Sequence, residues 1–184
     1  MIFTLNTDDL LKYTEKLILN YFPDTNNFDK IDKKTMQIAL DRLENCFSNI
    51  KLKYYLKNKL SYFNHLNSDH MASYIYFLSN TIWLEKGNKK TSQKLFYLNK
   101  ILHGIDLFYE ITMPDIFLLV HPVGTVIGRG KYSNNLVIYQ NCTIGSNKKD
   151  FPTFGKNVIL FSKSSVIGNS KIGNNVTISA NAFV

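Results

Sequence analysis

Cysteine and histidine are too scarce and too scattered in this sequence to build a metal site or a disulfide framework. The 184-residue chain holds two cysteines, Cys46 and Cys142, which lie far apart, and four histidines. Neither cysteine belongs to a CxxC pair, so the short Cys and His spacings of zinc sites are absent. Free cysteine is among the most buried residue types, and both are expected to be small core residues. The sequence therefore predicts neither a bound metal nor a disulfide.

Long apolar runs are missing as well. No stretch approaches the roughly 20 apolar residues that cross a bilayer, and the first residues, Met1-Ile2-Phe3-Thr4, lack the basic and apolar regions of a signal peptide. Hydrophobic residues make up 45% of the chain and charged residues 20%, which excludes general disorder. We therefore expect a globular protein of one domain or two small ones, located in the cytoplasm, with no membrane span.

Acidic residues are outnumbered, but the basic excess is not concentrated. Lys and Arg total 22 against 14 Asp and Glu, for a formal net charge of +8. The lysines occur in scattered pairs, such as Lys33-Lys34 and Lys148-Lys149, without the clustered basic face and interleaved aromatics of a nucleic-acid module. No nucleic-acid partner is predicted. A mild positive field is compatible with an anionic ligand such as a nucleotide cofactor.

The first part of the chain has helical periodicity. Apolar residues recur at spacings of three and four, and capping residues or breakers flank most of the periodic segments. Residues 50–63 show a poorer pattern, which also favours a helix. The pattern predicts an α-helical domain over residues 1–112. The other predicted helices cover residues 7–22, 32–47, 68–86 and 91–109.

After Pro114 the residue pattern changes. A short unit, an aliphatic residue followed by a small one, returns at spacings near six. Hexapeptide periodicity is typical of a left-handed parallel β-helix, in which three hexapeptides form one triangular coil. An ordinary sandwich should instead show two-residue alternation. Residues 113–184 are therefore predicted to form a left-handed β-helix, which makes the chain α+β. The repeated units include Val126-Ile127-Gly128, Thr143-Ile144-Gly145, Val166-Ile167-Gly168 and Lys171-Ile172-Gly173.

Two longer segments of this half carry motifs. Leu119 to Gly130 reads LVHPVGTVIGRG, and Val137 to Gly145 reads VIYQNCTIG. They resemble the motifs Asp-Ile-His-Pro-Ala-Ala-x-Ile-Gly-x-Gly and Ser-Ile-Leu-Gln-Gly-Val-Thr-Leu-Gly of the serine acetyltransferases and their relatives in polysaccharide gene clusters. Residues 153–184 fit the last coils of that family without a gap, and Ile82 to Gly87 (IWLEKG) is similar to its Leu-Trp-x-x-Gly.

The sequence also departs from the family pattern. The catalytic histidine of the family lies in an Asp-His-Ala-Thr-Gly motif one coil after the first motif. Here Gly130 runs directly into Lys131, as if about one coil were deleted. The histidine of a second motif, Asp-Arg-His-Pro, is replaced by Phe151, and the aspartate two residues before His-Pro is Leu119. The pair that activates serine's hydroxyl thus has no counterpart by motif, and the acceptor need not be serine.

His121 is the only histidine in the predicted β-helix. Acetyl transfer to an alcohol needs a base for the hydroxyl proton and donors for the developing oxyanion. Histidine suits the first role because its ordinary pKa lies near neutrality. His121 is therefore the candidate base. The alternative is a junction residue that hydrogen-bonds the first coil. In triad chemistry a carboxylate orients the base, and Asp115 and Glu110 are nearest in sequence.

The resemblance implies further site residues. Asp69, at a helix start, is a candidate for holding the acceptor, as are Tyr139 and Gln140, about one coil after His121. A packing or corner role explains Tyr139 and Gln140 equally well. The resemblance also implies acetyl-CoA, bound between adjacent β-helices of a homotrimer largely by backbone groups of the last coils. The matching positions are Ser162, Lys163, Gly168, Ser179 and Ala180.

The sequence thus predicts an acetyl-CoA-dependent O-acetyltransferase that works by direct transfer without a metal. The acceptor would be serine, as in cysteine biosynthesis, or a sugar hydroxyl of a surface glycan, as in polysaccharide biosynthesis. Trimers are expected, with pairing into hexamers through the helical domain as a further option. The competing function class is a catalytically degenerate β-helix that serves as a scaffold or a regulatory subunit.

Overall fold

A computed structural model describes residues 1–24 and 28–184. Their contacts divide into two compact units, Met1–Leu102 and His103–Val184. The first unit is mainly helical, and the second is a parallel β-solenoid of about 4 turns. The predicted order, a helical domain followed by a parallel β-helix, is confirmed. The sequence pattern places the domain boundary between residues 112 and 113, ten residues after the division between the two units.

Four α-helices make up most of the first unit. Polar side chains cap their first turns; for example, the Asn6 side chain accepts a hydrogen bond from the backbone N–H of Asp9. Gly87 ends the third helix in the left-handed conformation. Among the described residues, no helix is long and apolar enough to cross a membrane. The helices are α1 (Thr7–Tyr21), α2 (Lys33–Ser48), α3 (Ser68–Lys86) and α4 (Lys89–His103).

The helix predicted over residues 50–63 is wrong. A short 3₁₀ turn, Lys53–Tyr55, is followed by two antiparallel strands, β2 (Leu56–Lys57) and β3 (Leu60–Phe63). Asn58 and Lys59 both take positive φ, at 52° and 66°, and form the two-residue turn between them. Asn-Lys lacks the glycine that usually marks such a turn, so the sequence carries little sign of it. Strand β1 (Ile2–Phe3) pairs in parallel with β3.

The fourth helix is also shorter than predicted. It ends at His103 because Gly104, with φ +65°, turns the chain out of the helix. The next strand, β4 (Asp106–Leu107), already pairs with the β-helix. The solenoid thus begins within the segment that the helical period assigns to α4.

The solenoid has three faces, each built from parallel strands of successive coils. The second face also includes an isolated bridge between Lys131 and Thr153. The chain runs from the first face to the second, then to the third and back to the first. The first face holds β4, β6 (Val126–Ile127), β8 (Thr143–Gly145) and β11 (Ser165–Ile167). The second holds β9 (Thr153–Phe154) and β12 (Lys171–Ile172), and the third holds β5 (Phe117–Leu119), β7 (Leu136–Ile138), β10 (Val158–Leu160) and β13 (Thr177–Ile178).

Stacked aliphatic side chains fill the prism. Ile127, Ile144 and Val166 pair in register on the first face and are at most 1% exposed. Asparagines shape one corner. Asn135, Asn157 and Asn175 share a left-handed φ between the second and third faces, and each side-chain amide donates to the next, at 2.7 and 2.8 Å. Asn tolerates this conformation better than most residues, which explains its abundance here.

A buried histidine lies in the helical unit. His70, in the first turn of α3, is fully buried against the rings of Phe47, Tyr55 and Phe63. Its Nδ1 accepts a hydrogen bond from the backbone N–H of Asn64, at 3.1 Å. Because a charged imidazole would lose its hydration here, burial lowers the pKa of His70 to about 4. The ring is therefore neutral at physiological pH.

Lowering the pH from about 7 to about 5 is expected to reduce the free energy of unfolding. Over this pH range His70 of the unfolded chain, with a pKa near 6.5, binds a proton, whereas His70 of the folded chain does not. Burial lowers the pKa of His103 to about 4 as well, which acts in the same direction. Thermal unfolding followed across this range measures the effect. His70→Gln keeps an acceptor for Asn64 without titrating and should weaken the pH dependence. An unchanged dependence in His70→Gln would contradict the explanation.

Candidate active site

His121 lies in an enlarged corner between the third and first faces. In later coils the last paired residue of a third-face strand and the first paired residue of the next first-face strand are five positions apart, as Ile138 and Thr143 are. Leu119 and Val126, the equivalent residues here, are seven positions apart. The backbone N–H of Val120 still donates to the next coil, to the Ile138 carbonyl. The two extra residues are therefore His121 and Pro122. His121 is exposed with φ 49°, so its ring is carried on a bulge outside the regular coil.

Besides His121, one left-handed residue per coil makes the turn at this corner, which we call the histidine corner. Backbone hydrogen bonds link successive members, for example from Asn141 N–H to the Val123 carbonyl. A Cβ at Gly124, which has φ +72°, would lie 2.2 Å from the side-chain oxygen of Asn141, so only glycine fits at that position. The turn residues are Gly104, Gly124, Asn141, Lys163 and Asn181, with φ between 57° and 72°.

Both predicted acceptor residues of the β-helix lie at the histidine corner, in the coil after His121. The Tyr139 ring contacts that of Phe161 in the next coil, with centroids 5.1 Å apart. The Gln140 carbonyl accepts from the Lys163 N–H of the next coil, and its side-chain oxygen is buried without a hydrogen-bond partner among the described residues. Because an unpaired buried acceptor is costly, this oxygen is a candidate for contact with a bound group.

Four of the five predicted cofactor residues share the same corner. Ser162 and Lys163 belong to the third coil, and Ser179 and Ala180 to the fourth. Within residues 1–24 and 28–184, no hydrogen bond involves the backbone N–H of Ser162 or of Ala180. These groups are donors that a ligand could use. Gly168 lies elsewhere, at the far end of the first face, where its N–H donates to the Gly145 carbonyl.

Asp115, the predicted carboxylate partner of His121, is not at this corner. Asp115 precedes β5 next to Ile116, whose N–H donates to the Asn134 side chain at the asparagine corner. His121 follows the same strand, and six extended residues span up to about 20 Å. Within one chain the structure therefore does not bring Asp115 to His121. Asp69 belongs to the helical unit, where its N–H donates to the Asn67 side chain in the first turn of α3.

Both cysteines are buried, as expected of small core residues. Cys142 lies inside the histidine corner, with its sulfur 3.2 Å from the Phe161 carbonyl oxygen and 3.5 Å from the Ser164 hydroxyl. The sulfur thus faces the interior of the coil, where an acyl donor cannot reach it. In the described part of the chain no group of three or more His, Cys, Asp or Glu side chains is arranged to hold a metal ion.

A cleft of about 450 Å³ on the first face is absent from the sequence-based prediction. Its lining includes Asp106, Phe108 and Glu110 from the first strand region, Arg129 from the next coil and Phe151 from the insertion after β8. Two of these residues, Asp106 and Phe108, fall within the helix that the sequence pattern predicts up to Tyr109. The one available sign was Gly104, a residue that commonly ends helices.

Comparison with known proteins gives a consistent result, although no protein-family profile matches the chain. A putative serine acetyltransferase of Schizosaccharomyces pombe is 28% identical over 118 residues, which cover 61% of this chain and 43% of that protein. The serine acetyltransferase of Staphylococcus epidermidis is 33% identical over 92 residues, which cover 47% of this chain and 43% of that protein. The chain thus spans less than half the length of the curated relatives it matches.

Solved structures share the fold over most of the chain. Serine acetyltransferase from Vibrio cholerae superposes with a TM-score of 0.68 at 16% identity, covering 94% of this chain and 71% of that one. A serine acetyltransferase in complex with CoA superposes with a TM-score of 0.60 at 15% identity, covering 90% and 64%. The chain is therefore similar in sequence to curated serine acetyltransferases over part of its length, and it shares the fold of solved ones.

Proposed function

We propose that this protein transfers the acetyl group of acetyl-CoA to a hydroxyl group. The observation that carries the proposal is the histidine corner, where seven of the ten predicted site residues, the exposed His121 among them, share a single edge of the solenoid. The relatives named serine acetyltransferase and the structure solved with CoA support the reaction class.

The order of the coils favours His121 as the base. The segment that suggests a deleted coil, from Gly130 to Leu136, belongs to a complete one, because Val126 pairs directly with Thr143 and Lys131 bridges to Thr153. Gly124 follows His121 by three positions, just as the glycine follows the histidine in the Asp-His-Ala-Thr-Gly motif of the family. We therefore assign His121 to the position of the catalytic histidine.

The reaction would be a direct transfer. His121 takes the proton as the acceptor oxygen attacks the thioester carbon, so that a C–O bond forms and the C–S bond breaks. The proton then passes from the imidazole to the departing CoA sulfur. Polar groups of the corner, including the Gln140 amide, would orient the acceptor.

Acetyl-CoA would lie along the histidine corner toward the later coils. The N–H groups of Ser162 and Ala180 can donate to its pantetheine carbonyls, and the exposed Lys163 can meet its phosphates as a point charge. Acetyl-CoA supplies the activated acyl group when bound. The trimer, the hexamer and the cytoplasmic location stay predictions.

Acceptor-dependent release of free thiol from acetyl-CoA tests the proposed function. We expect thiol release to rise well above the rate of hydrolysis when a suitable hydroxyl compound is present, and the acceptor to gain an acetyl ester. A panel of L-serine and methyl glycosides covers both acceptor classes. If the chain binds no CoA by calorimetry and releases no thiol with any acceptor, the proposal fails in favour of a scaffold.

A further inference from the structure

The cleft on the first face has the size and the lining of a small-molecule site. Its volume of about 450 Å³ falls in the usual range for ligand pockets, roughly 300–1,000 Å³. Phe108, Phe151 and Val126 form apolar walls. Asp106 and Glu110 contribute carboxylates, and Arg129 contributes a guanidinium. A few polar groups among aromatic walls are the common composition of such sites.

The floor of the cleft is held rigid. Residues 128–130 form part of the lining, and the Tyr132 hydroxyl donates to the Gly128 carbonyl at 2.6 Å. The Tyr132 ring stacks on Phe154 of the next coil, at 5.4 Å. A Cβ at Gly130 would lie 2.7 Å from the Tyr132 ring, so glycine lets the backbone run close to it. A preformed floor lowers the conformational cost of binding.

We propose that this cleft binds one pyranose unit of an uncharged glycan, whose hydroxyl is the acetyl acceptor. The inference rests on the proposed function and names its acceptor class. A sugar ring has an apolar C–H face that packs against an aromatic ring. Its hydroxyls donate to the carboxylates of Asp106 and Glu110 and accept from the guanidinium of Arg129. The lining thus complements both the face and the rim of a sugar.

Two other ligands fit less well. An amino acid such as serine would match the charges of the cleft, but it fills only a small part of the volume and leaves Phe108 and Phe151 without contact. The CoA moiety is polyanionic, and two carboxylates against one guanidinium give the lining a net negative charge. The cleft therefore differs in charge from the lysine-bearing part of the histidine corner.

The cleft and the histidine corner both adjoin strand β6. Val126, which lines the cleft, begins the first-face strand that follows the enlarged turn with His121. A glycan held across the first face can therefore present a hydroxyl toward that corner. Phe151, which stands where the family has a histidine, adds an aromatic wall to the cleft.

Ligand-observed NMR on the full chain, without acetyl-CoA, tests the proposal independently of turnover. The probes are methyl β-D-glucopyranoside, methyl β-D-galactopyranoside, methyl α-D-mannopyranoside and N-acetylglucosamine, with L-serine as the comparison. We expect saturation transfer to the ring C–H protons of at least one sugar and no displacement by CoA. Phe151→Ala should raise the Kd of that sugar by about 3- to 10-fold. The control Phe183→Ala, at a side chain 78% exposed in the last coil, should leave it unchanged.

The outcomes separate this inference from the proposed function. Binding of L-serine but of no sugar, or a sugar Kd that Phe151→Ala and Glu110→Gln both leave unchanged, would overturn the cleft assignment. Thiol release with serine would then still support acetyl transfer. Sugar binding that depends on Phe151, without thiol release, would instead support the cleft and contradict the transferase.

Discussion

Replacing His121 with alanine is expected to lower kcat by about 10²- to 10⁴-fold, the usual loss when an acid–base catalyst is removed. The residue lies on an exposed bulge outside the regular coil, so its removal should leave the coil and the CoA affinity intact. Initial rates of thiol release, with calorimetric CoA binding on the same preparation, measure both quantities.

The rival explanation, that His121 only anchors the start of the solenoid, predicts a different pattern. Stability or assembly would then fall, while the protein that still folds would keep its specific activity. A well-folded His121→Ala variant with more than about a tenth of the wild-type kcat would contradict the assignment. Cys142→Ser is the control against a thiol nucleophile. It should be nearly silent, because Thr125 and Ser164 already place hydroxyls at the equivalent positions of neighbouring coils.

Gly155→Ala should lower the free energy of unfolding by about 1–3 kcal/mol. Gly155 follows β9 and stacks directly on the next coil. A Cβ there would lie 2.5 Å from the Asn174 side-chain oxygen and 2.7 Å from the Gly173 carbonyl carbon. Because one of these atoms is backbone, the clash is relieved only if two coils move apart.

Gly173→Ala is the matched control. An added Cβ at Gly173 meets only the Val176 side chain, at 4.0 Å, which is ordinary contact. It should therefore change the free energy of unfolding by no more than about 0.5 kcal/mol. Urea unfolding of both variants, followed by far-UV circular dichroism, compares them. Equal stability of the two would show that the coil spacing at Gly155 is softer than the geometry implies.

Sequence was most informative where one short rule repeats. The hexapeptide unit predicts the β-helix because each coil must place an aliphatic residue inside, as Ile127, Ile144 and Val166 do. The β2–β3 turn was not predicted because it depends on two left-handed residues, Asn58 and Lys59, without a glycine. Periodicity in so short a segment cannot distinguish a hairpin from a helix.

The site was predictable only in part. His121 could be named because it is the only histidine of the predicted β-helix, and the residues of the later coils because they match the family resemblance. Asp115 could not be excluded, since sequence distance does not show which corner of a triangular coil a residue occupies. The cleft could not be predicted from the sequence because its walls come from separate coils and from the insertion that carries Phe151. Such a site exists only after the coils stack.

A single-turnover reaction with carbon-labelled acetyl-CoA tests most directly the central claim that the histidine corner transfers acetyl straight to a hydroxyl. The full chain is mixed with an acceptor that supports thiol release, and mass spectrometry follows the label on the acceptor and on the protein. We predict a labelled acceptor ester, no labelled protein, and ester formation about 10²- to 10⁴-fold slower in His121→Ala. Label carried on the protein, or ester formation at the wild-type rate in His121→Ala, would contradict it.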